Sequence, residues 1–172
     1  MKSAFFSLLI MLVALGTTSA QRFAIVDVAK IMDNMEEYTA AQKQLDQIAA
    51  KWRQEISEQY DEVRSLYNKY QAEQVLLSDD ERKAKEEEIT AKEKEVMDLQ
   101  KQRFGQDGDL FRKRQELVQP IQDRVQAAIS EYADQKGYDA ILDKSINAGI
   151  LYVSDDIDKT KQIMAKLGIK AK

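Results

Sequence analysis

The chain has no cysteine and no histidine, and only one proline and six glycines in 172 residues. Without histidine there is no imidazole base, no Ser-His relay and no His-ligated metal. Without cysteine there is no disulfide, thiolate nucleophile, thiolate zinc site or lipidated cysteine. Any catalysis would rest on carboxylates, Lys, Arg, Tyr or hydroxyls, and no paired-acid pocket can be placed on the layout below. The chain is therefore read as a non-enzyme with no cofactor and no metal. Charged residues make up 33% and hydrophobic ones 44%, too charged for a polytopic membrane protein. The scarcity of Pro and Gly, with many helix formers, argues against an all-β fold.

Residues 1–20, MKSAFFSLLIMLVALGTTSA, join a cationic Lys2 to a 12-residue apolar run, Ala4 to Leu15, and end in the small residues Thr18-Ser19-Ala20. This is the layout of a secretory signal peptide cut after Ala20. A membrane anchor is the alternative, but the run is shorter than the ~20 residues a spanning helix needs. The mature chain would then carry 25 Lys and Arg against 30 Asp and Glu, and be soluble outside the inner membrane.

Phe23 to Val28 opens the mature chain with a short β-rich run, read as a buried strand. From about Ala29 to Leu77 there is neither Pro nor Gly, and apolar residues recur at Leu45, Ile48, Trp52, Ile56, Val63, Leu66 and Tyr70. Their mean spacing is near 3.5, the coiled-coil period, and predicts one long amphipathic helix. At Leu77-Ser78-Asp79-Asp80-Glu81 the pattern breaks; Ser78 with Glu81 forms a capping box, and the acids suit a helix N-terminus. A second helix is expected over 79–136, antiparallel to the first. Ile89, Val96, Leu99, Leu110 and Leu117 mark one stripe, and Phe111, Val118, Val125 and Tyr132 follow at sevens. Softening is expected at Gly105 and Gly108, a kink near Pro120, and a stop at Lys136-Gly137. Residues 138–143 and 149–153 read as two strands of an antiparallel hairpin turning at 145–148. Ser154-Asp155-Asp156 then caps a last short helix ending at Gly168.

The predicted class is α+β, mostly α. A small β body spans 21–35 and 119–172, and a helical-hairpin (coiled-coil) arm spans 36–118 with its tip near 77–81. About 45 residues per leg would give an arm of ~65–70 Å. So few strands bury little alone, so the body is expected to form on homo-oligomerisation.

Several stretches carry a family likeness: FAIVDVAKIMDNMEEY, LLSDDERKAKEEEI, RKRQELVQPIQDRVQAAISEYADQKGYDAILDKS and ILYVSDDIDKTKQIMAKLG. In this order they resemble the Skp/OmpH family of periplasmic chaperones over the whole mature chain. The resemblance implies a homotrimer whose three arms enclose a cavity. It implies an ATP-independent holdase that keeps unfolded outer-membrane proteins from aggregating in the periplasm. Carried over, Phe23, Ile25, Val26, Val28, Ile141, Leu142, Ile150, Leu151 and Val153 would build the trimer body. The family's best-known members are strongly basic, whereas this chain has a pI near 5.1. Attachment to membrane or lipopolysaccharide by charge is therefore not expected, and neither is nucleic-acid binding.

Within the arm, Tyr60, Tyr67, Met97 and Phe104 are the client-contact candidates, Tyr60 and Tyr67 lying off the main seam or at its edge. Gly105, Gly108 and Pro120 are the hinge candidates. The acidic clusters at 79–81, 86–88, 107–109 and 155–158 lack the spacing of a calcium loop and read as caps or solvated faces. A secreted coiled-coil scaffold of the cell envelope is the competing reading; it would favour straight parallel heptads over an interrupted hairpin. The signal-peptide reading has a direct check. Intact-mass analysis of the exported protein should give Gln21 as the first residue, and retention of residues 1–20 would mean an anchored chain.

Overall fold

The computed structural model describes residues 21–146 and 149–170. The signal segment and residues 147–148 of the expected 145–148 turn lie outside the described residues. The elements run β1 (Phe23–Val26), α1 (Val28–Asp33), α2 (Glu36–Glu73), a 3-10 turn (Gln74–Leu76), α3 (Asp79–Phe104), α4 (Asp109–Lys136), β2 (Ala140–Asp143) and α5 (Thr160–Lys166).

The first helix is split where the sequence pattern runs on. Asp27 caps α1 by accepting from the Lys30 N–H at 2.9 Å. The Asn34 side-chain amide then donates back to the Lys30 carbonyl at 2.8 Å, a local bond that competes with continued helix. Met35 is extended (φ −88°, ψ 120°) and its side chain is buried. The chain turns here, and α2 starts at Glu36 rather than near residue 29. At 38 residues it is about 57 Å long, shorter than the expected leg.

The outer arm is held by a narrow seam. Ala49, Ile56, Val63 and Tyr70 of α2 are buried at strict sevens, and Ile89 and Val96 are buried on α3. Ile56, Val63 and Val96 form one apolar cluster with Leu99 and Phe104 against it. Near the tip, the Tyr70 hydroxyl donates to Glu86 at 2.5 Å. The capping box is present: Ser78 N–H donates to the Glu81 carboxylate at 2.8 Å, and Glu81 N–H reaches the Ser78 hydroxyl at 3.4 Å. The return leg is two helices, separated by residues 105–108. Pro120 lies within α4, on an exposed position, and the helix runs through it. Gly137 ends α4 in the left-handed conformation (φ 65°, ψ 47°), as the Lys136-Gly137 stop implies.

The β arrangement departs from the expected hairpin. β1 and β2 pair in parallel, with Phe23 opposite Ala140 and Val26 opposite Asp143. The other edge of β1 is taken by the chain at 157–159: Ile25 N–H donates to the Ile157 carbonyl at 2.9 Å, and Lys159 N–H to the Ile25 carbonyl at 2.8 Å. β1 is thus central, and residues 150–153 take no strand pairing among the described residues. The last helix also starts later than expected. The Ser154 carbonyl accepts from the Ile157 and Asp158 N–H groups in a turn, and α5 begins at Thr160.

Each chain nevertheless has a core of its own, which the strand count did not suggest. Val26, Ile31, Met32 and Met35 pack with Ala41 and Leu45 of α2. Val118, Ile121, Val125, Ala128 and Ile129 of α4 join them, with Ile163 and Met164 of α5. The core is helical more than β, built where both legs return to the body.

A polar network fastens the C-terminal segment to this core. The Asp27 N–H donates to the buried Thr160 hydroxyl at 3.0 Å. Asp158 accepts from Lys144 Nζ at 2.7 Å and from the Thr160 N–H at 2.9 Å. Partial burial raises the Asp158 pKa, but the Lys144 ammonium and the two Thr160 donors outweigh it and hold the carboxyl at about 2. Lys144 is shifted up by the same pair. A depressed carboxylate stabilises the fold above its unfolded pKa, about 4, and that contribution disappears as pH falls toward 2. Asp158→Asn should therefore lower the melting temperature at pH 7 by a few degrees. The difference from wild type should close on acidification below about pH 4; thermal melts across that range check it.

Candidate functional site: a groove along the arm

The seam uses only one residue in seven for full burial, so broad flanks of the hairpin remain open. On one flank of α2 and α3 lies a groove of about 840 Å³. Ile56, Val63 and Phe104 supply its apolar lining, Tyr60 and Tyr67 its aromatic rim, and Arg53, Arg64, Asp61 and Glu93 its charged margin. Tyr60 and Tyr67 are 38% and 49% exposed. They stand seven residues apart, about 10 Å along the helix, and present rings to whatever enters. The Tyr60 hydroxyl donates to Gln100 at 3.1 Å, which ties that ring across to α3. Arg64 pairs with Asp61 at 3.2 Å on the surface, so the margin is close to neutral.

Of the four client-contact candidates, Tyr60, Tyr67 and Phe104 line this one groove. Met97 is 62% exposed but is not among the groove-lining residues. Phe104 is half-buried and meets Trp52 edge-on, with ring centroids 6.3 Å apart. Of the body candidates, Ile25 and Val26 are buried, while Val28, Ile141, Ile150 and Val153 are half-buried. Phe23, Leu142 and Leu151 are exposed at 46%, 49% and 99%, beside exposed Ile146, Tyr152 and Ile157.

Next to Phe104, which lines the groove, stands a residue the apolar pattern passes over. Ile89, Val96 and Arg103 fall at sevens, so a guanidinium occupies the next seam position of α3. It lies 4.8 Å over the Trp52 ring, a cation–π contact. It also pairs with Asp109 at 2.6 Å and approaches Glu55 at 3.9 Å. The other Asp109 oxygen takes Arg112 at 2.5 Å. Hydrogen bonds from Arg103 and Arg112 lower the Asp109 pKa against a small burial effect. The signal was available: a charged residue on a heptad position next to Gly105. Val75 and Leu76 at the tip, more than 80% exposed, were likewise not singled out.

Among the described residues, no group of His, Cys, Asp or Glu is arranged to hold a metal ion. No described helix is long and apolar enough to cross a membrane. The arrangement defines a class of arm-bearing protein: a small packed body, a long helical hairpin and an open aromatic groove. The family comparison narrows this class. Residues 22–167 match the model of the OmpH-like outer membrane proteins, and the chain belongs to that family. Its fold is similar to that of a protein from Caulobacter crescentus CB15 described as an OmpH-like outer membrane chaperone. The two share 13% identity at a TM-score of 0.68, over 87% of this chain and 85% of the other. No curated protein matches the sequence.

The glycine break is built tightly. A Cβ on Gly105 would stand 2.4 Å from the Lys101 carbonyl oxygen, and one on Gly108 2.8 Å from that of Gln102. Neither glycine uses positive φ; what each provides is space for backbone. In a plain helix, Gly→Ala stabilises by ~1 kcal/mol. Here the sign reverses: Gly105→Ala should destabilise by roughly 1–2 kcal/mol in urea titration, rather than stiffen the arm as helix propensity alone suggests.

Proposed function

We propose that the protein is an ATP-independent periplasmic holdase for unfolded outer-membrane proteins, acting as a homotrimer whose arms enclose the client. The observation that carries this reading is the tyrosine-rimmed groove on the flank of a long arm. It offers apolar and aromatic contact over a wide, neutral, mostly pre-formed surface. Such contacts are individually weak and undemanding of sequence. They hold an unfolded chain without fixing one structure and release it without an energy source. Enclosure keeps the client's unpaired strand edges from pairing with other chains.

The body supports the oligomeric part of the reading. Phe23, Leu142, Leu151 and Tyr152 leave an apolar surface uncovered in a single chain, and residues 150–153 have strand composition without a partner strand among the described residues. Both are met if the body closes against further copies; the copy number of three rests on the family likeness. Gly105 and Gly108 are the joint of each arm in this proposal, and Pro120 a secondary weak point. Tyr60, Tyr67, Phe104 and, outside the groove, Met97 are the client contacts. The break in the return leg weighs against a straight-rod scaffold. No catalysis, cofactor, lipid anchor or nucleic acid enters the reading.

The test is to mix residues 21–172 with an outer-membrane β-barrel protein diluted from urea, then measure mass by size exclusion with light scattering. One soluble species of trimer plus client is expected. Tyr60→Ser with Tyr67→Ser should reduce retained client about five-fold or more, losing roughly 1 kcal/mol or more of contact, with helix content and oligomer mass unchanged. A bare oligomer beside aggregated client would overturn the holdase reading for that client class.

A further inference from the structure

Arg103 stands where an apolar seam residue is expected, and its surroundings go beyond simple tolerance of a charge. Three helices meet on it. Trp52 and Glu55 come from α2, Arg103 and Phe104 from the end of α3, Asp109 and Arg112 from the start of α4. We propose that Arg103 and Asp109 are positioning residues of the groove: their ion pair latches the break at 105–108 and so seats Phe104 in the groove's lining. This rests on the groove being the client site. Its added content is that filling the groove and closing the break are one event.

The geometry gives the coupling a path. Phe104 follows Arg103 directly and shares its contact with Trp52: the guanidinium covers the indole face at 4.8 Å and the phenyl ring meets the indole at 6.3 Å. With the pair to Asp109 in place at 2.6 Å, α3 and α4 are held end to end and Phe104 lines the groove. When the pair parts, the link between the two helix ends goes, and the Phe104 seat goes with it. An apolar segment in the groove touches Phe104 only in the latched state. A ligand shifts such an equilibrium by its difference in affinity for the two states, and this contact is that difference.

The latch is also built to be shallow. Arg103 Nε is buried and donates to no atom among the described residues. An unmade hydrogen bond of this kind disfavours the closed state. The ion-paired side chains are about a fifth to a quarter exposed, so added salt weakens their attraction. A polar residue at a seam position sets register at a cost in stability, and here it sets the register of a broken leg.

Trp52 is the sole tryptophan of the chain, so its fluorescence reads the latch directly. The experiment uses the mature oligomer, alone and with a tryptophan-free outer-membrane β-barrel protein diluted from urea, with amide exchange over 101–112 followed in parallel. In the wild type, client should blue-shift Trp52 and slow exchange at the break. Asp109→Asn and Arg103→Met should red-shift Trp52 in the free protein and weaken client retention roughly five-fold, with helix content unchanged. Arg103→Lys, which keeps charge but not the planar fork, should fall between. Circular dichroism identifies any variant that has lost its fold; salt titration of the wild type, expected to red-shift Trp52, then tests the latch without substitution. Unchanged Trp52 emission in the folded variants and across the salt range overturns the latch. If retention needs Tyr60 and Tyr67 but Asp109→Asn holds client like wild type, the groove stands and the coupling is overturned. If neither tyrosine matters, the groove reading itself has failed.

Discussion

Parallel pairing of β1 with β2 is the constraint from which the rest of the molecule follows. Antiparallel neighbours can be joined by two residues, but parallel ones need a crossover that carries the chain back to its starting end. Here that crossover is the whole arm, residue 28 to residue 136, out along α2 and home along α3 and α4. The register Phe23–Ala140 fixes where both legs are rooted. Because the legs return to the same place, Ala41 and Leu45 of one meet Val118, Ile121 and Val125 of the other, and the core forms there. Arg22 reinforces the closure: its guanidinium donates to the Lys136 carbonyl at 2.6 Å and covers Tyr138, which stacks on Tyr132.

The arm and the body are stabilised differently. Around β1, side chains from four helices interlock, and Ile31, Val26, Ile163 and Met164 are almost wholly sealed. Along the arm, one residue per heptad is sealed, and much of the remaining contact is charged or aromatic. Surface pairs such as Lys85–Glu88 and Lys92–Glu95 are of the kind that contributes little. The arm therefore opens at lower free energy than the body. The same sparseness that weakens the hairpin as a fold leaves its flanks uncovered.

How far the sequence foretold this depends on whether the signal is local. The hairpin was legible because the 3.5-residue period, the Ser78–Glu81 box and Gly137 are local. The strand partnership was not: 140–143 and 149–153 have similar β composition, and the choice of β1 over a hairpin is made by edges distant in sequence. The Asn34–Met35 turn was hidden because both residues tolerate helix; burial of Met35 decides it. In the groove, Tyr60 and Tyr67 were legible as aromatics off the main seam. Met97 looked alike in composition but lies apart from them, since two helices' relative rotation is not written in either one. Arg103 was missed through reading heptads for apolar residues alone.

The break at 105–108 has one more consequence, for how such a chain can change over generations. Val96 and Val118 are 22 positions apart, one more than three heptads, so the return leg changes phase across the break. With both roots fixed by β1 and β2, an insertion or deletion in one leg slides its seam against the other. Seven residues gained on the way out must be matched by seven on the way back. Length can drift only in such pairs, except in the connections between helices, at the tip (74–78) and at 105–108, where an added residue leaves the heptads on either side in register.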